Sequence, residues 1–427
     1  MHPPDASTPP AASSPPRPGS TAVVAGTLAG AMAIGPLPLF AIMALGPLVI
    51  PDLALSRTAF GSVTTIAFVV GLAGSLLAGR LVDRVGARRV ALGMVGMSSA
   101  AIIVISGAQS FVWLVGAATL GGMAQAASNP TTNVLVTTEV PPSLRGTLMG
   151  VKQSGVQMGQ FLAGATLPTL AVLVGWRVSA LAALVLTATV LVLLLATASQ
   201  AAPTASASPD PGADRGRPHA TAPGSAPESG RTGSPWWLLA YTFLVAVVEQ
   251  AVNAYVPLYA FEDVGLSAAA AGSAVGVIGV IGVAARIGVG WASGRFAAPE
   301  TLLLAVAAAG SGAMLAVAAS AVLGPALLWL GVATYAATAL AANVLVMTTL
   351  LHTVKQGRMG RASGIVQMAM FGGFATGPIA FGALVDLTAS FVVGWLVVAG
   401  VFAAAAVLAV IGRTRTRATL SGATTPP

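Results

Sequence analysis

The 427-residue chain contains no cysteine, which excludes disulfides and thiolate metal sites. Charge is scarce as well. Only 7% of residues are Asp, Glu, Lys or Arg, against roughly a quarter in soluble domains, and mean hydropathy is +0.87. That composition excludes a soluble enzyme and leaves an integral membrane protein. Histidine occurs only at His2, His219 and His352, in stretches read as tail, linker and loop, and no metal-ligand cluster is visible. Phosphate-binding glycine loops are missing too. ATP-driven pumping and membrane enzymology therefore have no apparatus, and no cofactor is expected. The net charge of +8 does not point to nucleic acid, because the arginines sit in short loops between apolar runs and form no continuous basic face.

What the chain does have is long apolar runs. They lie near 21–50, 59–79, 90–107, 111–138, 145–174 and 178–198, then near 235–260, 267–293, 301–321, 324–350, 362–385 and 390–412. Each can cross a bilayer as a helix. The expected fold is thus all-α and membrane-embedded, with twelve spans in two six-helix bundles, residues 21–198 and 235–412. Pro-, Ser- and Gly-rich composition makes 1–20 a disordered tail and 199–234 a flexible linker, while 413–427 is a basic tail. The first run lacks the flanks of a cleaved signal, so it stays as a span, kinked around Gly35-Pro36-Leu37-Pro38. With the N-terminus inside, sixteen of the twenty Lys and Arg fall in inside segments and only Arg57 and Arg177 outside. This bias predicts a multi-pass protein of the plasma (inner) membrane with both termini and the linker cytoplasmic.

The loop after the second run reads Gly79-Arg-Leu-Val-Asp83-Arg84-Val-Gly86-Ala-Arg88-Arg89. Gly79, Asp83, Arg84, Gly86 and Arg88 match the signature loop between helices two and three of the major facilitator superfamily, which the chain resembles over about residues 21–412. Ala87 stands where that family usually has a basic residue. Two further features fit a duplicated six-helix unit. Gly146, Gly150, Gln153 and Gly159 recur 214 residues later as Gly360, Gly364, Gln367 and Gly373, and Asn133-Val-Leu-Val recurs as Asn343-Val-Leu-Val. A worn copy of the loop motif stands at Gly290-Trp-Ala-Ser-Gly294-Arg295. The run Gly146, Gly155, Gly159, Ala163, Gly164 resembles the family's antiporter signature, with Gln160 in place of its proline. The resemblance implies a transporter whose first, fourth, seventh and tenth helices line a central cavity. It also implies that Gly79, Asp83, Arg84, Gly86 and Arg88 form a cytoplasmic gate, with Asp83 closing against the start of the eleventh helix when the protein faces outward.

Ionisable groups inside a span are costly and each asks for a reason. Three qualify: Lys152, Glu249 and Arg286. Glu249 lies mid-span beside Gln250 and Asn253, placed for proton coupling or for a cationic solute. The fourth span carries Gln125, Asn129 and Asn133 on one arc, with Pro130 expected to interrupt its hydrogen-bond ladder. The fifth carries Lys152, Gln153 and Gln157, and the tenth Asn343. These are the candidate substrate-binding residues, with Arg286 and Lys152 expected to clamp an anion between them. The alternative is a structural role, with Lys152 reaching to the interface and Arg286 bonding backbone carbonyls or Gln367.

The expected activity is secondary transport of a small organic solute by alternating access, coupled to protons and leaning to a carboxylate. The second reading is a proton-driven multidrug antiporter, and the third a non-transporting receptor. Expected partners are a small molecule, protons and the lipid bilayer, with the monomer as functional unit and no nucleic acid.

Overall fold

A computed structural model describes residues 18–200, 236–293, 299–354 and 359–421. The expectations for residues 1–17, 201–235, 294–298, 355–358 and 422–427 lie outside them. So do most of the linker and the end of the worn loop motif.

The described residues are helical, with no strand among them. In chain order the helices are α1 (Pro18–Ile34), α2 (Leu37–Ala44), α3 (Gly46–Asp52), α4 (Arg57–Val85), α5 (Ala87–Ser106), α6 (Phe111–Glu139), α7 (Arg145–Val174), α8 (Trp176–Leu181) and α9 (Leu184–Gln200). After the linker come α10 (Trp236–Glu262), α11 (Ala268–Ser293), α12 (Pro299–Leu323), α13 (Pro325–Thr338), α14 (Ala342–Thr353), α15 (Met359–Thr388) and α16 (Phe391–Ser421). Eleven spans are long and apolar enough to cross a membrane. A twelfth comes from Thr21–Ile34 with Leu37–Ala44, bent by 56° at Gly35 and Pro36. Proline removes a backbone donor and clashes with the preceding turn, so the break falls where the sequence predicts it. Lipid offers no partner for backbone groups, which is why each crossing closes its own hydrogen bonds as a helix.

Several boundaries differ from the expectation. Gly79 lies inside α4, not at a bend, and the turn between α4 and α5 is Gly86 alone, at φ +89°. A side chain is strained at that φ, so glycine is required there. α6 runs unbroken through Pro130, and His352 falls in the last turn of α14 instead of a loop. α16 continues to Ser421, past the expected end of the span.

α1 packs on α7, α6 and α9, while α4 and α5 pack on α6; beyond the linker, α10 packs on α15 and α16, and α12 on α13 and α16. Two long contacts join the sets: α7 against α11, and α4 against α15. Glycines let these backbones approach. A Cβ on Gly159 would press on Ala33 of α1, and one on Gly373 would press on Phe243 and Val247 of α10. The 214-residue echo is thus the same helix-on-helix contact made once in each bundle. At the junction, a Cβ on Gly164 would overlap the backbone of Gly276. α10 is the most enclosed of the eleven long spans, with every residue from Val248 to Ala260 buried.

Candidate functional site

Between the bundles lies a cavity of about 790 Å³, walled by α1, α2, α4, α6, α7, α10, α11, α14 and α15. Its exposed members Thr147, Gly150, Val151, Gln153 and Met347 come from the start of α7 and the middle of α14. The cavity therefore opens toward the end of the molecule that carries the α4–α5 turn, called here the arginine end.

The opposite end is sealed. Asp386 near the end of α15 accepts hydrogen bonds from the backbone N–H of Arg57 (3.2 Å) and Thr58 (2.8 Å), and from the Thr58 hydroxyl (2.6 Å). A carboxylate thus caps the first turn of a helix in the other bundle, where unpaired N–H groups and the helix dipole favour negative charge. Tyr255 of α10 donates to the Arg57 carbonyl at 2.5 Å, and Arg57 pairs with Glu262 at 2.6 Å. Beneath, Phe60 meets Tyr255 edge to face with centroids 6.0 Å apart, and Tyr255 lies tilted on Phe381 at 4.8 Å. Gly61 and Gly382 make this closure possible, since a Cβ on Gly61 would strike Pro378 and one on Gly382 would strike Tyr255 and Arg57.

Nine carboxamides face the cavity: Gln125, Asn129, Gln153, Gln157, Gln160, Gln250, Asn253, Asn343 and Gln367. Its two charged side chains are Glu249 and Arg286. Arg286 is anchored on one side. Nε donates to the Leu340 carbonyl (3.1 Å) and Nη1 to Gln157 Oε1 (2.9 Å). Leu340 sits in the 3-10 turn Ala339–Ala341 between α13 and α14, where the regular ladder is interrupted and a carbonyl is available. Among the described residues two of the five guanidinium N–H groups are used, which leaves the outer Nη1/Nη2 edge open to an acceptor. Glu249 of α10 is buried on the cavity wall, on a helix that packs against α11 and its Arg286, and among the described residues its carboxyl has no hydrogen-bond or ion-pair partner. Tyr335 donates to the Glu249 backbone carbonyl at 3.1 Å, fixing α10 against α13. Gln160 donates to Asn253 at 3.0 Å across the bundles.

Of the residues singled out from sequence, Gln125, Asn129, Gln153, Gln157, Glu249, Gln250, Asn253, Arg286 and Asn343 all reach the cavity. Lys152 and Asn133 do not. The Lys152 ammonium is buried against Asn133 Oδ1, on the side of α7 turned toward α6. Only one of the two expected cations therefore stands on the wall. Gln160, Gln367 and the aromatic lining of Phe40, Phe68, Phe371 and Phe374 belong to the cavity and were not among the candidates. At the arginine end Asp83 and Arg84 are exposed, and Arg88 bonds Thr197 (2.8 Å) and lies 3.6 Å from Glu139.

Two bundles around a cavity that sets carboxamides and two charges among apolar side chains, open at one end and bolted at the other, define a membrane carrier for a small solute. The chain belongs to the major facilitator superfamily, whose family model matches residues 22–378. It is a transporter and not an enzyme. It is similar to a bacterial homologue of the human lysosomal transporter Spinster solved in an inward-facing, occupied conformation, with TM-score 0.69, 15% identity, 94% of this chain and 98% of that one. A point mutant of the nucleoside transporter NupG gives TM-score 0.69 and 13% identity over 91% of this chain and 99% of that one. At such identities the likeness concerns the fold. The hexuronate transporter of Bacillus subtilis (strain 168) is 31% identical over 144 residues, which is 33% of each chain.

Proposed function

We propose that the protein carries an organic anion together with a proton, by alternating access across the plasma membrane, as a monomer. The arginine end and both termini then face the cytoplasm, as the basic-residue bias indicates, and the conformation described is the inward-open one. The carrying observation is Arg286, anchored through Nε and Nη1 with its outer edge free on the wall of a cavity that also holds Glu249. That edge matches the two oxygens of a carboxylate. Glu249 supplies the proton site. Once a bound anion neutralises Arg286, a second negative charge on Glu249 is costly in this low-dielectric setting, so anion and proton are taken up together. The local likeness to a hexuronate transporter supports an anionic solute.

A second reading rests on Phe40, Phe68, Phe371 and Phe374, whose rings with Glu249 also suit a lipophilic cation. Proteoliposomes loaded with a pH dye separate the two. On the first reading, adding an impermeant carboxylate acidifies the lumen only when the protein is present. Glu249→Gln abolishes the acidification but still binds the carboxylate, and Arg286→Gln loses binding itself. Luminal pH changes driven by lipophilic cations, and none by carboxylates, would transfer the protein to the second reading.

A further inference from the structure

We infer that the solute is a polyhydroxylated carboxylate, of the sugar-acid type, a conclusion that rests on the anion reading above and narrows it. The carboxamides carry the step. Gln157 and Gln160 with Asn253 are spoken for within the protein. Gln125, Asn129, Gln153, Gln250, Asn343 and Gln367 are not, for none of their side chains bonds another protein group among the described residues. A carboxamide presents a donor and an acceptor side by side, the complement of a hydroxyl, which both gives and takes.

Gln250 sharpens the choice. It is 6% exposed on the cavity wall, and its buried Oε1 has no partner. A buried acceptor left unpaired is penalised, and a donor on the solute removes the penalty. An unsubstituted carboxylate has no such donor, whereas a hydroxylated one does. The six open carboxamides come from α6, α7, α10, α14 and α15, so the hydroxyls they meet must be spread around the solute and not gathered at one end. Phe40, Phe68, Phe371 and Phe374 line the same cavity and offer flat apolar surface to the C–H faces of a ring. A site built to hydrogen-bond hydroxyls discriminates strongly against analogues that lack them, because its own polar groups are then stranded.

The test is a thermal-unfolding titration of the full-length purified protein against matched probes. These are gluconate and glucuronate, hexanoate as the unsubstituted carboxylate, glucose as the uncharged polyol, and tetraphenylphosphonium as the lipophilic cation. The hydroxylated carboxylates should stabilise at concentrations at least about tenfold below hexanoate, with glucose weaker still. Gln250→Leu should erase most of that advantage, bringing the gluconate and hexanoate responses together. Equal responses to gluconate and hexanoate would overturn the inference and leave the anion reading standing. Stabilisation by glucose as strong as by gluconate, or by tetraphenylphosphonium alone, would overturn both. The comparison among probes uses the unmodified protein, so it holds even if a variant fails to fold.

Discussion

The two ends of the α4–α15 pair are built from similar parts and sit in opposite conditions. At the sealed end, Asp386 of α15 grips the first turn of α4 through two backbone N–H groups and a hydroxyl. At the arginine end, Asp83 in the last turns of α4 is exposed, and among the described residues no group of α15 bonds it. The antiparallel pairing of the two helices puts a carboxylate near the C-terminus of each, beside the N-terminus of the other. One is engaged and one is free. Closure at the sealed end is thus made by small, short-range polar contacts laid over close backbone packing, and on the alternating-access proposal one such set forms as the other lets go.

The largest break in this asymmetry should come from Gly61→Leu, whose side chain has no room against Pro378. Uptake should fall to background. A cysteine at the cavity residue Ser154 should become reactive to an impermeant maleimide added from the sealed side; the native chain has no thiol to compete. Unchanged sidedness would mean that the seal does not depend on this contact. Asp386→Asn should act less strongly, because it keeps an acceptor but loses the charge at the helix start. The expected loss is about 1–2 kcal/mol, read as a five- to thirtyfold shift in the inward-to-outward ratio of Ser154→Cys labelling (roughly, from the 1.4 kcal/mol per decade of an equilibrium constant). Smallest is Glu262→Gln. The Arg57–Glu262 pair is 36% and 24% exposed, so its removal is expected to shift the same ratio by about fivefold or less. If Glu262→Gln matched Asp386→Asn, the ion pair and not the helix cap would be the bolt.

Much of the architecture was legible because bilayer crossing imposes length and apolarity that survive as runs in the sequence, and because Gly35-Pro36 bends the first span where the sequence marks it, although α6 runs unbroken through Pro130. The cavity residues were legible for a related reason: amides and charges inside a span need a polar surrounding, so Gln125, Asn129, Gln153, Glu249 and Arg286 announce it. What pairs with what was hidden. Asp386 and Thr58 are 328 residues apart and carry no local signal of each other. Lys152 and Arg286 look alike in sequence. Only packing shows that one turns to Asn133 while the other finds the Leu340 carbonyl, released by a 3-10 turn in a segment of alanine and leucine with no glycine or proline to mark it. Gly61 and Gly382 could not be distinguished from the rest of fifty glycines until their neighbours were known.

The crossing of α7 and α11 has a consequence for motion. Gly164 lies against the backbone of Gly276, and Gly279 against Phe161 and Gln157, so the helices touch there with little side chain between them. Interdigitated ridges resist rotation because each rotamer must be unseated, whereas two bare backbones can roll past one another with few contacts to undo. On the alternating-access proposal that crossing is the natural axle of the machine, because the two backbones meet there with little side chain to unseat.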